Sequence, residues 1–441
     1  MEIRRVEYKN IYGTLSGKLD FSGGENFLVG INGCGKTTIL NLIRWVLGPV
    51  LPELCTLQHD LIKIDVKHGK HVYSIESRIL KDKHELKVVT KDKSRDFKPI
   101  HTTLIIGPRQ IRGYREEIRS RYEHLGPEPD EVATWSFLME ELPSPVFIGL
   151  ERSVEDGSAG QRVRRRRQYS RAREGATPLA TAITLMRDAF NTGRRRLVEI
   201  NDELNRKVLE LSFSSVVGGK LSLRVPSSKD TAKKIEQLKA RFESSANNVA
   251  YSKALSAKGV RNAVVRYLDE LSSLLSGKSK KDKVWVMLNQ HNFDRAAKMF
   301  DLFEEHASKA QEIQLEITSF TKAVDRFIGD SGKSILFDGD TGIPHFGVRG
   351  HSENLELSEL SSGEAQVVVL LSYFAFRAKE GMPIVIDEPE LSLHVQWQKY
   401  FVSAVKEVMP EGCQTIMATH SPEICGAEDV NVQSISVRMT Q

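Results

Sequence analysis

The sequence predicts an α/β fold: one head, built around a parallel sheet by the two ends of the chain, with a helical segment inserted between them. Three observations predict it. A glycine-rich turn near the N-terminus joins an apolar strand to a helix-spaced run. Near the C-terminus, two strongly apolar strands end in polar or acidic residues. Between them lie two stretches with apolar residues at steps of three and four.

The turn reads Gly-Ile-Asn-Gly-Cys-Gly-Lys-Thr over Gly30–Thr37, the G-x-x-x-x-G-K-T pattern of a phosphate-binding loop. Asn26–Val29 precedes it as a strand and Thr38–Leu47 follows with helical spacing. Glycines let backbone N–H groups turn inward, and the helix N-terminus adds positive potential. The nucleotide contacts expected here are Asn32, Gly33, Cys34, Gly35, Lys36, Thr37 and Thr38. Lys36 would reach the β- and γ-phosphates of ATP, and the Thr37 hydroxyl would hold Mg²⁺.

Pro383–Glu390 reads Pro-Ile-Val-Ile-Asp-Glu-Pro-Glu. The β-branched run is that of a strand buried on both faces, and it ends in adjacent carboxylates. Asp387 suits the Mg²⁺ shell and Glu388 the activation of an attacking water. Thr415–His420 is a second such strand, and it places His420 near the same strand ends as a γ-phosphate contact. Between the glycine-rich turn and these strands, Ser361-Ser362-Gly363-Glu364 opens the apolar helix Val367–Phe376, another helix start able to meet an anion.

Together these segments resemble an ABC-type P-loop ATPase. Gly30–Thr37 is similar to Walker A, Leu360–Glu364 to the signature, Ile384–Glu388 to Walker B, and His420 to the H-loop histidine. More narrowly, the chain resembles the RecF/SMC/Rad50 and OLD-like branch. The strand Ile3–Lys9 leading into Asn10-Ile-Tyr, the run Asp387–His394 and Ala418–Glu423 carry that likeness, which covers roughly the first 150 and last 110 residues. Ser362 stands where the usual signature has Gly. The implied Q-loop glutamine, a ligand for nucleotide and Mg²⁺, best matches Gln110. The resemblance implies a sandwich of two heads around two ATP molecules, with Ser361, Ser362, Gly363 and Glu364 of one head capping nucleotide held by the other. At least a homodimer is expected, with larger rings left open.

More than 300 residues separate the first motif from the signature. From Ala296, the positions Met299, Phe303, His306, Ala310, Ile313, Ile317, Phe320, Val324 and Phe327 form a near-continuous seam. Leu179, Ile183, Met186, Phe190, Leu197, Ile200, Leu204 and Leu211 form another, broken at Gly193 and Lys207. An antiparallel coiled coil with arms of about 32 residues would reach roughly 50 Å; an ordinary helical bundle is the other reading. The expected domains are an N-terminal lobe 1–175, a helical insertion 176–332 and a C-terminal lobe 333–441. Leu221–Val225 reads as a strand and Ser276–Lys283 as a basic flexible loop.

The net charge is +5 and the four cysteines form no Cys-x-x-Cys pair, against a zinc hook or a disulfide framework. The N-terminus lacks an apolar leader, and the apolar run Ala365–Phe376 is too short to span a bilayer. A cytoplasmic protein with no membrane role is expected. Seven arginines between Arg162 and Arg173 suit a phosphate backbone, an acidic protein or solvent alone, and Tyr169 beside them could stack on a base.

A compact head with short arms resembles the ATPase subunits of anti-phage systems of the PARIS and Septu type. That likeness implies a sensor or scaffold for a separate effector, a nuclease, with DNA or a phage protein as further partners. Only 21 residues follow His420, so a Toprim nuclease domain is not expected there. The alternative is a RecF-like DNA repair ATPase.

Overall fold

A computed structural model describes residues 1–92, 94–105, 107, 115–123, 125–149, 154–156, 177–213, 236–237, 240, 266–267, 269–270, 280–391, 393–426 and 431–435. In chain order, β1 (Glu2–Ile11), β2 (Leu15–Asp20) and β3 (Glu25–Val29) lead into α1 (Lys36–Leu47) and α2 (Leu51–Thr56). Then come β4 (Leu61–His68), β5 (His71–Leu80), β6 (Lys83–Thr90), β7 (Ile100–Thr103), α3 (Arg115–Tyr122), α4 (Val132–Ser136), β8 (Val146–Ile148) and β9 (Val154–Asp156). Two long helices follow, α5 (Pro178–Phe213) and α6 (Lys280–Ile328). The remaining elements are β10 (Lys333–Phe337), β11 (Pro344–Val348), β12 (Leu355–Glu356), α7 (Ser362–Phe376), β13 (Pro383–Asp387), α8 (Val395–Val408), β14 (Gln414–Ala418), α9 (Pro422–Cys425) and β15 (Asn431–Ser434).

The chain divides into two compact units, Met1–Asp188 with Ser319–Gln441, and Ala189–Thr318. At the centre of the first is a sheet of order β15-β3-β14-β13-β8-β9, parallel except for β9. Strands from the beginning and end of the chain alternate in it. β13 is buried along its whole length, as a strand covered on both faces must be. Side chains of successive residues leave by opposite faces. Val385, Ile416, Ala418 and Leu28 therefore join a core with α1 and the antiparallel sheet β2-β1-β4-β5-β6-β7. Ile384, Ile386, Met417 and Phe27 face the other way, into a core with α7, α8 and the roots of α5 and α6. The helix α7 is apolar almost all round because it lies inside that second core.

Ala182 and Met186 of α5, and Phe320, Val324 and Phe327 of α6, are buried in the same core. In the second unit the two helices run antiparallel. Gly193 faces Ile313, and the His306 ring lies 2.8 Å from the Asn201 amide oxygen. Leu204 and Lys207 border the same small cavity as Leu302 and Glu305. Helix α5 continues through Gly193, where a Cβ would meet Ile313 at an ordinary contact distance of 3.7 Å. The pairs Glu203–Lys207 at 2.6 Å and Glu305–Lys309 at 2.7 Å flank the seam at helical spacing. The helices are 36 and 49 residues long, so the second exceeds the expected arm. It starts at Lys280, sixteen residues before Ala296, and its first four residues, Lys280–Lys283, read as loop from their charge, are helical; lysine is a good helix former. Leu221–Val225, the rest of that loop and the arginine-rich segment Arg162–Arg173 lie outside the described residues. Among the described residues, no helix is long and apolar enough to cross a membrane. All four cysteines are free thiols.

The antiparallel sheet encloses a hydrogen-bonded chain of three buried polar side chains. His59 Nδ1 donates to the Leu57 carbonyl at 2.9 Å, which leaves Nε2 to accept from the Ser77 hydroxyl at 2.9 Å. Ser77 in turn accepts from His84 Nε2 at 2.8 Å. Both rings are neutral, and burial lowers their pKa to about 4 for His59 and about 3 for His84. In the unfolded chain both would titrate near 6.5. The unfolded state therefore binds more protons between pH 6.5 and pH 3 to 4, and stability falls as pH drops through that window. Urea unfolding followed by circular dichroism should lose about 2 to 3 kcal/mol per pH unit near pH 5 from these two rings. His84→Gln should roughly halve that slope.

Candidate functional site

β3 ends at Val29, and Gly30–Gly35 carries the chain into α1. The glycines are demanded by space and by backbone angle. A Cβ on Gly30 would lie 2.6 Å from Cys34 Sγ and 2.9 Å from the Ile435 carbonyl oxygen. At Gly35, with φ +100°, it would lie 2.7 Å from Leu15. Gly35 is the N-cap of α1, and no side chain caps that helix. The first-turn N–H groups of a helix have no partner within it, so this end can meet an anion. Asn32 and Gly33 are exposed, Thr38 is half-buried, and the Cys34 side chain is tucked beneath the loop.

The Lys36 side chain is buried and its ammonium donates to the carbonyls of Gly30 at 3.0 Å and Ile31 at 3.4 Å. It also lies 2.5 Å from His420 Nε2. It lies 3.4 Å from Nδ1 of the same ring. The Thr37 hydroxyl donates to the Asp387 carboxylate. Burial lifts the Asp387 carboxyl above its ordinary range, against the pull of Thr37, and the neighbouring Glu388 adds to the rise. Glu388 follows the end of β13 with φ +47°, a conformation that costs a non-glycine residue energy. A 2.8 Å bond from its N–H to the Ala418 carbonyl holds it there. Its carboxylate stands 3.9 Å from His420 Nε2. Lys36, Thr37, Asp387, Glu388 and His420 thus meet at the carboxyl ends of β3, β13 and β14. Thr37 and Asp387 offer a hydroxyl and a carboxylate oxygen side by side, a donor set that fits Mg²⁺.

The expected signature start has partners elsewhere. Ser361 caps α7 and forms a reciprocal capping box with Glu364. Ser361 and Ser362 are exposed, Gly363 is half-buried, and Glu364 is buried. The Glu364 carboxylate accepts from Lys333 Nζ at 3.0 and 2.8 Å, from the Ser331 hydroxyl at 3.0 Å, and from the Ser361 hydroxyl at 2.8 Å and N–H at 2.9 Å. Its charge is spent inside its own chain, tying the start of α7 to the segment after α6. Gln110 lies outside the described residues.

Two residues at the site went unread in the sequence. Glu390 accepts from Thr419 and from the His420 N–H, and Gln398 accepts from Ser421. The signal for Glu390 was a third carboxylate two residues past Asp387-Glu388, at the end of a buried strand. Gln398 carried no signal, because one turn of a surface helix looks like any other.

Residues 222–425 match a family model described as "AAA ATPase domain". The match contains Ser361–Glu364, Asp387, Glu388 and His420, and starts after Lys36. Among solved structures, an Smc head domain with an extended coiled coil bound to the C-terminal domain of ScpA, from Pyrococcus furiosus, is similar. It is 14% identical, with a TM-score of 0.42, over 99% of this chain and 94% of that one. An SMC head domain from Thermotoga maritima is 11% identical, with a TM-score of 0.39, over 100% and 96%. No curated protein matches. The fold and the site at the ends of its parallel sheet are those of an α/β P-loop protein, and residues 222–425 are similar to an AAA ATPase domain.

Burial opposes ionisation of Glu364, but Lys333, Ser361 and Ser331 outweigh it and hold the carboxyl at about 2. This lies below its ordinary 4.5, so the stability it contributes is complete above pH 4.5 and is lost as pH falls toward 2. Glu364→Ala should lower unfolding free energy at pH 7 by about 2 to 3 kcal/mol, since it strands Lys333 and removes the capping box. Calorimetry should show the loss at pH 7 and a smaller one near pH 3.

Proposed function

We propose that this chain binds and hydrolyses ATP, closes as a homodimer or larger ring around it, and acts as sensor and scaffold for a separate effector in anti-phage defence. The observation that carries the ATPase reading is the convergence of Lys36, Thr37, Asp387, Glu388 and His420 at the ends of one parallel sheet. Ligands of such sheets bind at the carboxyl ends of the strands.

In this reading the N–H groups of Asn32–Thr38 and the Lys36 ammonium hold the β- and γ-phosphates. Thr37 and Asp387, with Gln110, hold Mg²⁺, which when bound neutralises phosphate charge. Glu388 orients a water and takes its proton as it attacks the γ-phosphorus. His420, already paired with Lys36, contacts the γ-phosphate. The exposed Ser361 and Ser362 and the half-buried Gly363 of one copy cap the nucleotide of the other, with Glu364 bracing Ser361 rather than touching phosphate. ATP is then the adhesive of the assembly and its hydrolysis the release. The effector reading rests on the resemblance of head, arms and motifs to defence ATPase subunits. A nuclease is the partner it favours, with DNA or a phage protein as trigger, in the cytoplasm.

Glu388→Gln should retain ATP binding, hydrolyse at least about a hundredfold more slowly and accumulate as the closed assembly on size exclusion with ATP. Lys36→Ala should lose nucleotide binding and that assembly. Normal hydrolysis by Glu388→Gln would remove Glu388 from the chemistry. Mass spectrometry of proteins retained by tagged Glu388→Gln in its native host tests the effector. A stoichiometric nuclease chain is the expected result, and DNA with no partner protein would overturn the scaffold reading.

A further inference from the structure

Glu390 has no part in the roles assigned above, yet it makes two hydrogen bonds at the centre of the site. One carboxylate oxygen accepts from the His420 N–H at 2.5 Å, and the other from the Thr419 hydroxyl at 2.8 Å. Thr419 is fully buried and its hydroxyl oxygen also accepts from Ser421 N–H at 3.0 Å, so its position is closely set. Gln398 closes the frame. It accepts from the Ser421 hydroxyl at 2.6 Å and donates to the Leu393 carbonyl at 3.0 Å, on the turn that carries Glu390. The loop after β14 is thereby pinned at Thr419, His420 and Ser421 to the turn after β13. Only the backbone of His420 is held in this way. Its ring extends to Lys36 at 2.5 Å and Glu388 at 3.9 Å.

We propose that Glu390 is a positioning residue for ATP hydrolysis: by accepting from Thr419 and from the His420 N–H, it holds the His420 imidazole in register with Lys36 and Glu388. The proposal rests on the ATPase reading of this site. Glu390 acts through geometry. A bidentate acceptor fixes both the height and the rotation of the peptide it grips, whereas a single bond would leave the loop free to pivot. A displacement of about 1 Å at a catalytic group costs on the order of a hundredfold in rate. The role requires hydrogen-bond geometry and not negative charge. Glutamine can keep the first contact, its oxygen accepting from His420 N–H, and reverse the second, its amide donating to the Thr419 oxygen while the Thr419 hydroxyl proton turns away.

The full-length protein is tested as Glu390→Ala, Glu390→Gln and Thr419→Val, with steady-state ATPase kinetics and Mg-ATP binding measured for each. Glu390→Ala should lose at least tenfold in kcat with KM and nucleotide affinity within threefold. Glu390→Gln should stay within threefold of the parent. Thr419→Val should lose less than Glu390→Ala, and the Glu390→Ala/Thr419→Val pair should lose no more than Glu390→Ala alone. Nitrogen-15 NMR of labelled histidines supplies a readout independent of turnover: the His420 ring resonances should move in Glu390→Ala and stay in Glu390→Gln. Activity of Glu390→Ala within twofold of the parent would overturn the proposal. Equal loss in Glu390→Gln and Glu390→Ala would also overturn it, since charge would then be the operative property. If the parent itself hydrolyses no ATP, the ATPase reading fails, and unmoved His420 resonances in Glu390→Ala would separately overturn the role of Glu390.

Discussion

The whole site hangs on the backbone ladder that joins β14, from the last part of the chain, to β3, from its first. Thr415 pairs with Glu25 and Ala418 with Leu28, and β13 then pairs with β14 on the other side. The ladder is reinforced by Gln414, whose buried amide accepts from Ile3 N–H at 2.8 Å and donates to the carbonyls of Ile3 at 2.7 Å and Ser22 at 2.6 Å. Asn26 adds a bond to the Thr415 carbonyl at 3.1 Å. Unpaired, each of these strands would bury unsatisfied backbone groups. Neither end of the chain can therefore complete the head alone, and Lys36 meets His420 only when both are present.

The same interleaving governs the arms. Both α5 and α6 are rooted in the core beneath the parallel sheet, α5 by residues up to Asp188 and α6 by residues from Ser319. Phe320, Val324 and Phe327 do this with apolar packing, and the segment just beyond α6 carries Ser331 and Lys333 to Glu364. The start of α7 is thus bonded to the base of an arm. With several donors on one carboxylate, the pair also fixes the orientation of a helix start.

Polar groups are concentrated where strands end, and each contributes by its position. Glu388 is held in a costly backbone conformation by one bond to Ala418, which turns its carboxylate toward His420. Asp387 is desolvated at the mouth of β13 with the Thr37 hydroxyl as donor. The second polar concentration, His59–Ser77–His84, lies inside the antiparallel sheet and is closed upon itself. Its neutral rings link the stability of that sheet to pH without touching the nucleotide loop.

The sequence by itself determined the α/β class, the glycine-rich loop, the strand ending at Asp387, the strand from Thr415 that leads to His420, and the two apolar helical seams. These are local: a glycine pattern, β-branched runs and apolar periodicity each act over a few residues and are stamped directly on the chain. Tertiary structure alone decided the rest. Glu364 reads as a ligand in the signature, but Lys333 and Ser331, both more than 30 residues away, claim its carboxylate. Glu390 reads as one more acid after Walker B, and only the approach of β14 brings Thr419 and His420 to it. Those roles depend on partners distant in the chain, and no local pattern of residues encodes which distant donor will arrive.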